Sequence, residues 1–457
     1  MMVPIGLTVV AVMTVLTILR NGAYWLRMLR QPTRITRERA EVQRAASETD
    51  PRTFDLHYVI PAFQERDALP ETFRALQRAI EHASYHATIT IVTSVHDEPQ
   101  HAGERRTRQV AEELCAGIEY ARVLLDQSAV PSMAAAFNTG TRDIAARTTR
   151  SSSSVYVAAY NADSSAAEDS VQTLGDTIIA RDFPEVLQIN FASMRNTAGM
   201  TGLGGWYARG AAYYQSRWAF GFEFDLHRRN SVLVRRGRLG HSYHLKGHGA
   251  VLRMDTALAF GGFSTQTPCE DLELGFRLAL HGIPVHSVPV LEDTESPSTA
   301  AAVTKQKRYW FSGMIDVLHF HRLHPELRRA DPVRFELARL ASLYRSAACF
   351  LLAPVPYWVL FIGAVVLQQP LFAVPPVLNA VLSTWLIRRS MRRLAPQVRL
   401  VSGIIAIADV GAVLIWSMTR NIGPIQYGVA MARQGDRVSR MRQAHVAHID
   451  GSAAARG

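Results

Sequence analysis

The chain has 457 residues, which is too long for one ordinary domain and predicts two or three structural units. Its composition is that of a globular protein, with 48% apolar and 19% charged residues. The formal net charge of +11 raises nucleic acid as a partner, but the arginines cluster beside apolar stretches, which favours a membrane and argues against nucleic acid.

Three stretches of the chain are almost free of charge: 1–19, 346–387, and 400–419, which contains only Asp409. A helix needs about 20 apolar residues to cross a membrane, so the first and third stretches each fit one crossing. The second fits two crossings joined by a turn near 368–370. A cleaved signal peptide is disfavoured for the first stretch, because its basic residues follow the apolar run. Asp409 is either a functional membrane acid or a polar contact between helices.

The arginines between 20 and 39 and between 388 and 399 indicate the cytoplasmic side of a multi-pass protein of the cell membrane. The cysteines at 115, 269 and 349 show no metal-ligand spacing, which fits a reduced, cytoplasmic compartment. The number of spans stays open, because a full crossing of the third stretch would place the arginines of the tail outside. The predicted organisation is an N-terminal transmembrane anchor at 1–20, a basic cytoplasmic linker at 21–50, a soluble domain at 51–330, C-terminal transmembrane helices at 345–420, and a basic tail at 421–457.

Strands and helices alternate in the first part of the soluble segment. Runs of β-branched and apolar residues predict the strands, and apolar residues three and four apart predict the helices. This alternation predicts an α/β fold with a mostly parallel, open sheet and helices on both faces. The predicted strands are 56–60, ended by Pro61, then 88–95, 122–125 and 155–159, and the predicted helices are 68–82, 110–114, 132–145 and 272–280.

Carboxylates follow three of these strands, at the sheet edge where ligands bind in such folds. The segments are 61–65 (PAFQE), 96–98 (HDE) and 161–164 (NADS), and a fourth acidic segment, 269–271 (CED), opens a helix. Such oxygens are suited to a hard divalent cation. Asp271 by itself is typical of a helix cap, so its functional interpretation depends on the whole set.

Six segments between residues 55 and 315 form an ordered series. They are 59–65 (VIPAFQE), 136–140 (AFNTG), 161–164 (NADS), 247–249 (GHG) with 261–263 (GGF), 269–271 (CED) with Leu274, Arg277, Leu278 and Gly282, and 306–310 (QKRYW). This series resembles the motifs of family 2 glycosyltransferases, the inverting, membrane-bound enzymes that include cellulose, chitin and hyaluronan synthases. The resemblance implies a nucleotide-sugar-binding sheet of the GT-A type together with transmembrane helices.

The resemblance also implies residue roles. Asp271, with Glu270 beside it, would be catalytic, and Asp271 would take the proton from the acceptor hydroxyl. Asp163 would hold Mg²⁺ or Mn²⁺ at the diphosphate. The residues implied in nucleotide-sugar binding are Pro61, Ala62, Glu65, Asp97, Asn138, Asn161 and Asp163. Those implied in contacts with the acceptor or the diphosphate are Gln306, Arg308, Trp310 and Gly249.

Several positions depart from the family pattern. Asn161 stands where an aspartate is usual, which predicts weaker metal binding. Arg308 comes one place early, with Tyr309 in the usual arginine position, which on a helix turns the guanidinium by about 100° and weakens the case for a processive polymerase. His248 replaces a small polar residue and is either a packing residue or a ligand contact. The helix around 305–318 has the pattern of a membrane-surface helix or of a core-facing one.

The expected function is inverting, metal-dependent transfer of a sugar from a nucleotide diphosphate sugar, with a UDP-sugar favoured. The expected acceptor is lipid-linked or a polysaccharide of the cell envelope, at the cytoplasmic face of the membrane, in a hexosyltransferase-like reaction. A second hypothesis is a degenerate homologue that binds a nucleotide sugar without catalysis, suggested by the departures. A small-molecule transporter is the third, and it leaves the soluble segment unexplained.

Overall fold

The computed structural model describes residues 2–48, 50, 53–97, 105–235 and 245–434. The chain forms two compact units. One consists of Val42–Ile189, Leu233–Val288 and Gln426–Gly457, and we call it the sheet unit. The other consists of Met1–Glu41, Asn190–Val232 and Pro289–Ile425, and we call it the helical unit. Glu98 and the predicted tail from residue 435 onward lie outside the described residues.

Within the described residues the sheet has eight strands in the order β3-β2-β1-β4-β7-β6-β8-β5. Strand β1 is parallel to both β2 and β4, and β2 is parallel to β3. Strand β7 is antiparallel to both β4 and β6. The strands are β1 Asp55–Ala62, β2 Ala87–Ser94, β3 Ala121–Asp126, β4 Val155–Ala159, β5 Ser164–Ser165, β6 Val186–Ala192, β7 Ala250–Arg253 and β8 Val285–Thr294.

The α/β class is confirmed, and the predicted strands and helices of the first part of the sheet unit are all present. Two details differ. The sheet is mixed and not mostly parallel throughout, because β7 runs antiparallel to its neighbours β4 and β6. Strand β1 does not end at Pro61 but runs on to Ala62, with Pro61 opposite Val92 of β2.

The helices, in chain order, are α1 Met2–Ala46, α2 Leu69–Glu81, α3 Thr107–Cys115, α4 Met133–Arg147, α5 Ser170–Ala180, α6 Gly202–Trp218, α7 Phe224–Arg235, α8 Met254–Ala259, α9 Glu270–Leu280, α10 Ala300–Ile315, α11 Phe320–Leu323, α12 Pro325–Ala330, α13 Pro332–Ser346, α14 Val355–Val366, α15 Val374–Leu394, α16 Gly403–Thr419 and α17 Ile422–Gln434.

Helices α2 and α4 show how the sheet unit buries its core. Leu69, Phe73, Leu76 and Ile80 recur at helical spacing along α2, and all four are buried. Helix α4 lies close to the sheet because Gly140 has no side chain: a Cβ there would lie 2.6 Å from Cγ1 of Val59. This close approach fixes α4 against β1 and β2, and with it the loops at their carboxyl ends.

In the helical unit, α1 is one continuous helix, so the predicted anchor at 1–20 and the predicted linker at 21–50 share a single rod through most of their length. Among the described residues, four helical stretches are long and apolar enough to cross a membrane: Leu7–Ala46, Pro332–Val366, Pro370–Leu394 and Gly403–Met431. The predicted turn near 368–370 is confirmed, with Gln368 at a φ of 53° between α14 and α15.

Helices α6 and α16 pack nearly backbone to backbone. A Cβ on Gly210 would lie only 2.3 Å from the carbonyl oxygen of Ala412, so no larger residue fits there. Within this contact the fully buried Asp409 accepts a hydrogen bond from Nε of Arg209 at 2.7 Å. Asp409 is thus a polar contact between helices, which was one of its two predicted roles.

Candidate active site

Asp271 lies in the first turn of α9 and is held by the loop that precedes β7. Its Oδ2 accepts a hydrogen bond from the backbone N–H of Gly247 at 2.9 Å, and its Oδ1 accepts one from the N–H of Leu272 at 2.7 Å. Carboxylates are favoured in a first helical turn by the positive end of the helix dipole. Asp271 therefore does stabilise the helix start, and its carboxylate is fixed in one orientation.

Burial raises the pKa of both acids at this helix start. It raises the pKa of Glu270 to about 8, and the nearby charge of Asp271 adds to the effect. It also raises the pKa of Asp271, against the opposing influence of the Gly247 and Leu272 hydrogen bonds and of the Lys246 charge. Two interacting acids titrate as a pair, so near neutral pH the pair retains a proton that separate, exposed acids would lose.

The loop at 246–249 is held from the sheet side by Gln188 and Gly249. The buried Gln188 accepts a hydrogen bond from the N–H of Lys246 at 2.9 Å and donates one to the carbonyl of His248 at 2.8 Å. The N–H of Gly249 donates to the carbonyl of Ala159 at 2.8 Å, at the end of β4. Gln188 is thus a positioning residue for this loop. The sequence analysis missed it because it lies inside a buried strand, outside any motif.

His248 ties the same loop to the segment predicted to bind metal. Its Nδ1 accepts a hydrogen bond from the N–H of Asn161 at 3.2 Å and lies 3.3 Å from Oγ of Ser164. Its ring packs edge-on against Tyr160, with 4.7 Å between the ring centres. Only 4% of His248 is exposed, which supports the packing role among its two predicted roles.

Helix α2 holds this metal-motif loop from the other side. The hydroxyl of the buried Thr72 lies 2.6 Å from the carbonyl oxygen of Ala162 and 2.7 Å from that of Ser164. Asp163 is partly buried in the same loop. The described residues contain no group of three or more His, Cys, Asp and Glu side chains arranged to hold a metal ion.

Asp97 joins the loops that follow β1 and β2. Its carboxylate accepts hydrogen bonds from the N–H of Gln64 at 3.0 Å, from the N–H of Thr107 at 2.8 Å and from the Thr107 hydroxyl at 3.1 Å. Gln64 has a positive φ of 58°, and the carbonyl of the next residue, Glu65, accepts from the N–H of Leu69. Asp97 thus shapes the turn that carries Glu65 and begins α3.

Both polar atoms of the Asn138 side-chain amide form hydrogen bonds with the Gly-Gly-Phe turn. Its Nδ2 donates to the carbonyl of Phe263 at 2.7 Å, and its Oδ1 accepts from the N–H of Phe263 at 2.9 Å. A Cβ on Gly262 would lie 2.1 Å from this Oδ1. The predicted contact of Asn138 with the nucleotide sugar would therefore be indirect, through the turn that precedes the acidic segment.

An open cleft of about 460 Å³ lies at the carboxyl end of β3. Asp126 in its wall is 2% exposed and accepts hydrogen bonds at Oδ1 from the hydroxyls of Ser128 and Thr139. No sequence motif predicted this cleft, although Asp126 is a carboxylate at a strand end, which is the pattern that predicted the other acidic segments. The lining residues are Leu125, Asp126, Gln127, Ser128, Thr139 and Arg142.

The predicted acceptor segment at 306–310 lies on α10, in the helical unit. Oε1 of Gln306 accepts a hydrogen bond from Gln215 of α6 at 3.0 Å, and Arg308 is exposed. Nζ of the buried Lys307 lies 3.6 Å from the centre of the Trp310 ring. Burial lowers the pKa of Lys307 well below its ordinary value. Lys307 was not among the predicted residues.

Residues 175–387 match the family model described as glycosyltransferase family group 2. This region of the chain belongs to that family. The match contains the acidic segment at 269–271 and the segment at 306–310, so the glycosyltransferase family predicted from the motif series is confirmed. No curated protein matches the chain.

Two solved structures are similar to this chain at low sequence identity. A mannosyltransferase from Pyrobaculum calidifontis, in complex with GDP-Man and Mn²⁺, is 14% identical, with a TM-score of 0.39, over 82% of this chain and 99% of that chain. Residues 1–349 of TarS from S. aureus, in complex with UDP-GlcNAc, are 10% identical, with a TM-score of 0.40, over 81% of this chain and 92% of that chain.

Proposed function

We propose that this glycosyltransferase moves a sugar, with inversion, from a nucleotide diphosphate sugar to a lipid-linked or polysaccharide acceptor at the cytoplasmic face of the membrane. A UDP-sugar is the favoured donor. The observation that carries the proposal is the fixed, partly buried carboxylate of Asp271, whose pKa burial raises. A general base works best when its pKa approaches the working pH.

In the proposed reaction Asp271 accepts the proton of the acceptor hydroxyl while the hydroxyl oxygen forms a bond to the anomeric carbon of the sugar. The bond from that carbon to the diphosphate breaks on the opposite side, and the nucleotide diphosphate leaves with the electron pair. One displacement inverts the configuration at the anomeric carbon. The acidic pair of Glu270 and Asp271 titrates together, and Asp271 acts as the base when its carboxylate is deprotonated.

The residues of the 161–164 loop fit a divalent cation bound mainly through the donor. Mg²⁺ in nucleotide sites is held by one or two carboxylates together with substrate phosphates, and Mn²⁺ accepts the same oxygen ligands. Asp163 would supply the carboxylate and Asn161 an amide oxygen. A cation held there would offset the charge of the diphosphate leaving group.

The remaining predicted residues stay in the proposal, with an indirect role for Asn138. Pro61, Ala62, Glu65 and Asp97 lie at the carboxyl ends of β1 and β2, where nucleotides bind in such sheets. Asn138 supports the donor site through the Phe263 turn. The residues proposed for the acceptor and the diphosphate are Gln306, Arg308, Trp310 and Gly249.

The base is tested with the full chain in detergent or lipid, supplied with a panel of nucleotide sugars, Mn²⁺ and membrane extract. Asp271→Asn should lower kcat by about a thousandfold or more while donor affinity changes little, because the amide keeps the shape but cannot take the proton. Asp182→Asn is the matched control, since it makes the same chemical change at an exposed turn residue with a φ of 58°. Wild-type turnover in Asp271→Asn would show that another group is the base.

The metal site is tested at Asn161 and Asp163. Asn161→Asp adds a charged oxygen ligand and should tighten Mn²⁺ binding in the presence of donor, by about tenfold. Asp163→Asn should weaken it. Mn²⁺ titration of donor binding, followed by calorimetry, measures both. If neither substitution changes the Mn²⁺ dependence, this loop does not hold the cation.

A donor-binding protein without catalysis is the second candidate, favoured by the neutral Asn161. Wild-type chain that binds a nucleotide sugar but releases no nucleotide with any donor or acceptor extract would establish it. Nucleotide release that depends on Asp271 would exclude it.

A further inference from the structure

Three arginines that are far apart in the sequence lie together in the helical unit. The guanidinium carbon of Arg217, at the end of α6, lies 4.7 Å from the centre of the Tyr24 ring and 5.8 Å from that of Tyr214. The guanidinium carbon of Arg420 lies 4.3 Å from the same Tyr214 ring. Arg20, one turn before Tyr24 on α1, is close enough to Arg420 for their positive charges to repel. We call Arg20, Arg217 and Arg420 the arginine cluster.

Two members of the arginine cluster are buried without a carboxylate. Arg217 is 5% exposed and Arg420 is 7% exposed. Nη2 of Arg217 donates to Oδ1 of Asn21 at 3.0 Å, whereas Nε of Arg217 and Nε of Arg420 have no hydrogen-bond acceptor. In the described ranges no carboxylate lies within ion-pairing distance of any of the three. A buried cation is costly unless an anion compensates it, so the cluster is suited to an anionic ligand.

The cluster adjoins the ends of two apolar stretches of the sequence. Arg20 directly follows the apolar stretch 1–19, and Arg420 directly follows the apolar stretch 400–419. Arg20 lies in the stretch Leu7–Ala46 and Arg420 in the stretch Gly403–Met431, and both stretches are long and apolar enough to cross a membrane. Two stretches that are apolar enough to lie in a membrane therefore end at the cluster, and lipid phosphates lie where such stretches end.

The chemistry of the cluster fits a phosphate with an attached hydrocarbon chain. The planar fork of a guanidinium group matches two phosphate oxygens. The rings of Tyr24 and Tyr214 hold the guanidinium groups in place by cation–π contact. Leu16 and Leu19, in the turn before Arg20, are 55% and 64% exposed and offer apolar surface to a lipid chain. We propose that the arginine cluster binds the phosphate group of a membrane lipid. This binding is independent of the proposed sugar transfer.

The experiment titrates the full-length protein in detergent with dioleoyl phosphatidic acid and counts bound lipid by native mass spectrometry. Dioleoylglycerol is the phosphate-free probe, and inorganic phosphate is the chain-free probe. One phosphatidic acid should bind per chain, more tightly than dioleoylglycerol, and millimolar inorganic phosphate should not displace it. Arg20→Gln and Arg420→Gln should each weaken the binding by about tenfold.

Arg30→Gln is the matched control, because it removes a charge that is likewise exposed from the same helix ten residues further on. It should leave the binding unchanged, and equal weakening would overturn the proposal in favour of general surface charge. Displacement by inorganic phosphate would show that the ligand need not be a lipid. Equally tight binding of dioleoylglycerol would show that the phosphate group is not recognised. Since Arg20 is exposed, its substitution keeps the test valid if the buried Arg420→Gln variant fails to fold. Asp271→Asn should keep full lipid binding, which separates this inference from the catalytic one.

Discussion

The backbone N–H of Gly247 donates a hydrogen bond to Oδ2 of Asp271 at 2.9 Å, and the next residue, His248, accepts one from the N–H of Asn161. Two consecutive residues therefore fix both the proposed base and the proposed metal loop. The loop at 246–249 therefore holds together two motifs that are about a hundred residues apart in the sequence.

The two glycines of this loop should respond differently to alanine. Gly249 has a φ of 73°, and a Cβ there would lie 2.5 Å from the carbonyl oxygen of Ile189, so Gly249→Ala should cost about 1–3 kcal/mol of unfolding free energy. A Cβ on Gly247 meets only the flexible end of Met133 at 3.1 Å and stays 3.7 Å or more from the acids. Gly247→Ala should therefore be well tolerated. Thermal unfolding of the two variants compares them directly, and an equal loss in both would contradict this account of the loop.

Removing the Asn138 amide should destabilise the sheet unit. Asn138→Ala deletes two hydrogen bonds to Phe263 and leaves its backbone groups unpaired, at a cost of about 2–4 kcal/mol. Gly262→Ala should be similarly harmful, since its Cβ would collide with Oδ1 of Asn138. In the double variant that collision is gone, so the loss should be smaller than the sum. Denaturant unfolding of the four proteins measures the coupling, and strictly additive losses would show that the two residues act separately.

The acidic pair should make stability fall as pH rises. With a pKa of about 8 in the folded protein against 4.5 ordinarily, Glu270 binds more protons folded than unfolded between these values. The stabilisation is complete below about pH 4.5 and is lost as pH rises through about 8. The melting temperature should thus be higher at pH 5 than at pH 8, and Glu270→Gln should flatten this difference. An unchanged pH profile in that variant would assign the effect to other groups.

The rate of sugar transfer should change with pH in the opposite direction to stability. Because Asp271 must be deprotonated to accept a proton, and burial raises its pKa, kcat/KM should rise with pH along a limb whose apparent pKa lies above that of an ordinary aspartate. Initial rates across the pH range measure it. A limb at the ordinary value for an exposed aspartate would mean that the titrating base is a solvated group elsewhere.

Breaking the buried ion pair of Arg209 and Asp409 should destabilise the protein more than replacing both residues with apolar ones. Arg209→Met leaves Asp409 buried and unpaired, at a cost of about 3–5 kcal/mol. Arg209→Met with Asp409→Leu removes both charges and should recover much of that loss. Thermal unfolding in detergent compares the variants. A double variant no more stable than Arg209→Met would show that the pair is needed for more than charge balance.

Several site features were readable from the sequence because they are local. A carboxylate after a β-branched run predicts a strand-end acid, and this placed Asp97 and Asp163 correctly at the ends of β2 and β4. What these side chains contact was not readable. Asp97 bonds to Thr107 and Gln64, and Asn138 bonds to Phe263, because the chain brings distant backbone N–H groups to them.

The sequence by itself determined the α/β class, the apolar helices, the turn between α14 and α15, and the family, because each follows from local periodicity or from motifs in order. Only the tertiary structure decided that β7 runs antiparallel, that Gly247 holds Asp271, that Asp409 pairs with Arg209, and that three arginines meet. These are contacts between residues distant in sequence. Their partners are chosen by how strands and helices pack, and no local pattern of residue types encodes that choice.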